Sequence, residues 1–193
     1  MSNTRALIAV LTAALTLPPT LGAQEHHILF KGIEVTGKAA AFTDSLKTKG
    51  FTLTRNGTAD GMFAGSHVTV AAEVTPLSKT VYSVCAQLDA RGTWKEVKGD
   101  YMSYKNNLAD KYGEPSSCEE RFTSAYHEGD GYEFKAIQLG KCTWASIWDT
   151  DRGRITISIV NGSRGCCLQI IYADKSGSLL NAKEINEIFK REL

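Results

Sequence analysis

The stretch Cys142-Thr143-Trp144-Ala145-Ser146-Ile147-Trp148-Asp149-Thr150-Asp151-Arg152-Gly153-Arg154-Ile155-Thr156-Ile157-Ser158-Ile159-Val160 decides the fold. Two runs of period two flank a turn containing Asp and Gly, the pattern of an antiparallel hairpin. Ile155, Ile157 and Ile159 share one face and Thr156 and Ser158 the other, so the second strand has a core side and a polar side. The first strand is resolved only by the turn. A three-residue loop, Asp151-Arg152-Gly153 with left-handed Gly153, sets residue 149 opposite 155 and sends Trp144 and Trp148 to the polar side. A two-residue loop shifts the pairing by one and buries both. Gly153 accepts positive φ without strain, which favours the first register.

Working outward, strands are expected at 118–126, 136–149, 154–160 and 166–173, after a helix at 94–112 with the stripe Tyr101, Tyr104, Leu108 and Tyr112. A last helix spans 178–191. The first half has a strand at 28–36, a helix at 39–49, a short strand at 51–55 ending at Asn56-Gly57, and strands at 62–75 and 80–90. Phe42, Leu46 and Lys49-Gly50 match Tyr104, Leu108 and Lys111-Tyr112-Gly113 with one insertion. The expected fold is α+β: tandem helix-plus-antiparallel-meander modules, helices on one face of the sheet and the other face partly open. The division is 1–23 signal peptide, 24–92 first module and 93–193 second module, both in one compact unit.

The leader rests on Arg5, the apolar run 6–17, Pro18-Pro19 and Leu21-Gly22-Ala23. The run is too short for a bilayer span of about 20 residues. The expected location is the periplasm or the exterior. The 193 residues carry 22 Lys+Arg and 21 Asp+Glu, so a strongly basic nucleic-acid binder is a poor reading. Hydrophobic residues make up 42%, enough for a packed core rather than a disordered chain. In an oxidising compartment the five Cys tend to pair. A hairpin centred near Asp130 sets Cys118 opposite Cys142, the expected disulfide, worth roughly 2–4 kcal/mol. Cys85 is then unpaired, or a partner for Cys167.

Catalytic signatures are missing from the sequence. The His are His26, His27, His67 and His127, with no GxSxG, HExxH or GxxxxGK[ST]. The carboxylates Glu128, Asp130 and Glu133 lack the spacing of an EF-hand. No catalytic residue, metal or cofactor is assigned. The sheet parities place His67, Glu73, Gln87, Trp144, Trp148, Ser158 and Gln169 on the open face, a set of polar groups interleaved with Trp that suits recognition. The reading is an exported, non-catalytic binding or inhibitory module for a protein or glycan of the cell envelope. Competing readings are an envelope enzyme of another class, acting on glycan or peptide, and a self-assembling envelope protein.

Phe30-Lys31-Gly32-Ile33-Glu34-Val35-Thr36-Gly37, then Phe42, Leu46 and Gly50-Phe51, with Trp94, Tyr101, Leu108 and Lys111-Tyr112-Gly113, resembles exported proteins of gut Bacteroidetes. These motifs are structural, and the resemblance implies no activity. In topology alone the duplicated helix and meander looks like the β-lactamase inhibitor protein, and function does not follow from fold.

Overall fold

A computed structural model describes residues 26–193, apart from Ser124 and Ser163; the expected leader at 1–23 lies outside the described residues. A two-stranded ribbon, β1 (Leu29–Phe30) and β2 (Ile33–Glu34), leads into α1 (Ala39–Thr48). Strands β3 (Thr52–Leu53), β4 (Ala59–Phe63), β5 (Ser66–Val74) and β6 (Val81–Leu88) follow. The second half runs α2 (Trp94–Tyr112), β7 (Ser117–Phe122), α3 (Glu133–Gln138), β8 (Cys142–Thr150), β9 (Gly153–Gly162), β10 (Gly165–Asp174) and α4 (Lys175–Glu192).

The fold is α+β with an open antiparallel sheet of eight strands, in the order β3-β4-β5-β6-β10-β9-β8-β7. Each half is a helix followed by a four-strand meander. The last strand of each meander, β6 and β10, pairs with the other at the centre, with Gln169 opposite Gln87 and Ile171 opposite Cys85.

Sequence expectation and structure differ where local turns intervene. The strand expected over 62–75 is a hairpin, because Ala64 and Gly65 both adopt positive φ (48° and 84°) and fold β4 onto β5. The strand expected from residue 136 starts at Cys142, because α3 occupies 133–138. The segment 28–36 is a ribbon turning at Lys31-Gly32 rather than one strand.

One face of the sheet carries the core. Val68, Val70, Val84, Ala86 and Leu88 from the first half meet Ile155, Ile157, Leu168, Ile170 and Tyr172 from the second, all buried. α2 lays Val97, Tyr101, Tyr104 and Leu108 on this layer, and α1 adds Phe42 and Leu46. Thr93 starts α2 with a complete capping box to Glu96, satisfying two otherwise orphaned backbone donors. Phe30 joins the halves: its ring stacks on Phe63 at 4.9 Å and meets Tyr172 edge-on at 5.5 Å.

α4 adds nothing to this core cluster and is tied down by two buried carboxylates. Asp174 accepts from the Gly177 amide at 2.8 Å and from the Ile28 amide at 3.0 Å, with His27 Nδ1 at 3.1 Å. Glu184 accepts from the amides of Leu77 (2.6 Å) and Ser78, closing the β5–β6 turn onto the helix. Burial alone would raise the Glu184 pKa, but the Ser78 and Leu77 hydrogen bonds hold it below the usual carboxylate value. Among the described residues, no helix is long and apolar enough to cross a membrane.

Candidate functional site

The β8–β9 register decides which residues the open face carries. Asp149 lies opposite Arg154 and Thr150 opposite Gly153, so the turn is the two-residue Asp151-Arg152. Trp148 therefore pairs with Ile155 and points with it into the core. This corrects the placement of Trp144 and Trp148 on the open face: they are 7% and 2% exposed. Gly153 adopts positive φ as expected, but inside the ladder, where an added Cβ would come within 2.1 Å of the Ala173 carbonyl oxygen. A close approach of backbone, not a left-handed loop position, is what that glycine serves.

The two indoles are held differently. Trp148 Nε1 donates to the Gly113 carbonyl at 2.8 Å. Trp144 packs edge-on against Trp94 at 5.2 Å and near Phe122 at 5.8 Å, with Lys98 Nζ 5.0 Å from its ring. The loop around Glu128 closes this cluster. Its carboxylate accepts from Trp94 Nε1 (3.0 Å) and Lys98 Nζ (2.6 Å), which lower its pKa. Asp130 and Glu133 bond to amides of their own loop, the Asp130 pKa being lowered by the His127 and Tyr132 amides. Among the described residues, no group of three or more His, Cys, Asp or Glu is arranged to hold a metal ion.

The other predicted residues do share the open face. His67 and Glu73 lie on β5, Gln87 on β6, Ser158 on β9 and Gln169 on β10, with side chains on the side away from the core. On β6, β10, β9 and β8 the middle of this face presents Cys85, Gln87, Gln169, Ile171, Ala173, Thr156, Ser158, Val160, Thr143, Ala145 and Ile147, while Ser83 and Cys167 on the same side are buried. None is charged. Charges stand around them: His67 beside Asp89 at 3.2 Å, Asp149 with Arg154 at 2.7 Å, Arg121 with Glu119, and Glu73. Across the central seam the Gln87 amide donates to Cys167 Sγ at 2.8 Å. These side chains do not converge as catalytic groups do. His67 and Glu73 are six residues apart on one strand, about 20 Å, and of the carboxylates in the 127–133 loop Glu128 bonds to α2 residues while Asp130 and Glu133 bond within the loop.

The expected Cys118–Cys142 disulfide is overturned. Cys118 lies opposite Ser146, and Cys142 opposite Phe122. The thiols share a face but sit four ladder steps apart, about 13 Å, because α3 lengthens the connection on one side. All five cysteines are free. Burial raises the pKa of Cys85, Cys166 and Cys167, and pushes Cys142 up to about 12.

A polar cluster that the sequence reading missed surrounds Cys118, under α2 at the β7 edge. Tyr101 and Lys105, one turn apart on α2, reach Glu120 Oε1 at 3.0 and 2.6 Å. Tyr101 Oη lies 2.6 Å from Ser146 Oγ. The exposed Cys118 Sγ is 3.2 Å from Lys105 Nζ, 3.3 Å from Glu120 Oε1 and 3.4 Å from Ser146 Oγ. Burial raises the Tyr101 pKa, holding the phenol protonated. For Glu120, burial raises the pKa, but hydrogen bonds from Lys105, Cys118 and Tyr101 leave it below the ordinary value. The available signal was Ser146, a lone hydroxyl between two Trp on a buried strand face. Buried polar groups need partners, so that face had to receive one from α2 or β7.

No protein-family model matches the chain, and neither a curated protein nor a solved structure is significantly similar to it.

Proposed function

We propose that the chain is an exported, non-catalytic binding or inhibitory module that takes a protein partner on its open sheet face. The uncharged centre of that face, ringed by charged residues, carries the reading. Depletion of charge at the core of a patch, with a polar rim, distinguishes protein interfaces from ordinary surface. Of the two envelope partners considered from sequence, protein is favoured over glycan. Both Trp that would have stacked on sugar rings are in the core. The leader at 1–23 supports export.

The test inserts charge at the seam. Ser158→Arg with Gln169→Arg introduces two guanidinium groups into the uncharged middle of the face, away from Arg154 and Arg121 at its margin, without touching the core side of β9 or β10. Wild type and variant, matched by circular dichroism and urea midpoint, are immobilised and exposed to envelope extract. Retention of a protein by wild type and its loss from the variant is the expected result. A partner held equally by both, or none held by wild type, refutes the placement.

A further inference from the structure

We propose that Cys118 is a site of reversible S-thiolation, where a small disulfide exchanges onto the thiol under the influence of Lys105. Five side chains from three elements meet there, and two of them, Tyr101 and Ser146, are fully buried at 0% exposure. Ser146 Oγ and Lys105 Nζ lie within reach of Sγ as donors, while Glu120 takes the S–H proton's hydrogen bond. A partly exposed cysteine beside a cation is the environment in which thiols react; a buried apolar one is inert. The contrast is internal to this chain. Cys142, Cys166 and Cys167 are buried, and Cys118 is the exposed thiol among the described residues.

The step is thiol–disulfide exchange. The S–H proton leaves to solvent, and Sγ attacks one sulfur of the incoming disulfide. A bond forms between Sγ and that sulfur as the original S–S bond breaks, and the second sulfur departs as a thiolate. The incoming disulfide, of the glutathione-disulfide class, is the oxidant, and a free thiol reverses the step. Lys105 is a positioning residue: its ammonium lies 3.2 Å from Sγ, where it attracts the negative charge carried by the sulfurs during the exchange. Glu120 opposes it by drawing the ammonium and placing a negative charge at 3.3 Å from Sγ.

That opposition supplies the test. The folded full chain is treated with glutathione disulfide or with dithiobis-nitrobenzoate, and the adduct is located by peptide mass spectrometry. One thiol per chain should react fast, at Cys118, and Cys118→Ser should abolish the fast phase. Lys105→Met leaves Glu120 uncompensated and should slow the phase several-fold. Lys105→Arg should restore it. Glu120→Gln frees the Lys105 charge and should speed it. Loosened packing would move both variants in the same direction, so opposite signs identify the electrostatic role. A fast phase that survives Cys118→Ser, or Lys105→Met and Glu120→Gln changing the rate alike, overturns the proposal.

Discussion

Replacing Trp148 by Ala tests the register on which the open face depends. The indole is 2% exposed and packed opposite Ile155, and its Nε1 donates to the Gly113 carbonyl at 2.8 Å. Large aromatic-to-Ala changes in cores cost about 3–5 kcal/mol, from lost transfer energy and the cavity left behind. The lost hydrogen bond belongs within that figure, since Gly113 is exposed and water can replace the donor. For a domain of this size each kcal/mol moves Tm by roughly 2–4 °C, so a fall of about 6–20 °C is expected. Trp148→Phe keeps most of the ring contact and should cost only about 1–2 kcal/mol. Urea unfolding followed by far-ultraviolet circular dichroism measures both, with a common m-value required for the comparison. A loss below about 1 kcal/mol for Trp148→Ala would place the ring on the open face and refute the two-residue turn.

Three further outcomes are expected. Gly153→Ala should destabilise by more than about 2 kcal/mol in the same assay, because its methyl meets the backbone carbonyl of Ala173, which cannot swing away; near-neutral behaviour would refute the close approach. Asp174→Ala should cost about 2–3 kcal/mol by orphaning the Ile28 and Gly177 amides, and hydrogen exchange should rise at the start of α4 and in the β1–β2 ribbon; unchanged exchange at both places would count against the tie. Glu120 and Glu184 have lowered pKa values, so each adds stability above the ordinary carboxyl pKa that is lost as pH falls through its folded value. Urea midpoints should therefore drop between about pH 6 and pH 3, less steeply in Glu120→Gln/Glu184→Gln; identical slopes would exclude these groups as the source.

The alternation in Ile155–Ile159 and in Val68–Val74 fixed core and open sides correctly on β9 and β5, because period-two patterning there is strong and unambiguous. β8 failed because both its faces look apolar: Trp144 and Trp148 on one, Ala145 and Ile147 on the other. Its side was then left to a turn length, and Asp151-Arg152-Gly153 fits two of them. The Ala64-Gly65 hairpin was missed because Ala rarely takes φ of 48°, so the pair carries little of the usual turn signal. The Cys118 cluster was illegible for another reason. Its members come from 101, 105, 118, 120 and 146, and no local spacing brings α2, β7 and β8 together. Only tertiary packing does.

The central seam also has a consequence in time. Gln87 faces Gln169 across it, 169 − 87 = 82 residues later in the chain. A ribosome adding about 5–20 residues per second takes roughly 4–16 s to cover that distance. During that interval Val81–Leu88 has one edge without its final neighbour, exposing backbone groups that template pairing with any strand nearby. The outer strands of the first meander can form beside it, but nothing in the first half can cap it. The nascent chain is therefore most vulnerable to mispairing in the middle of its eventual sheet, at the strand that ends up best sheltered.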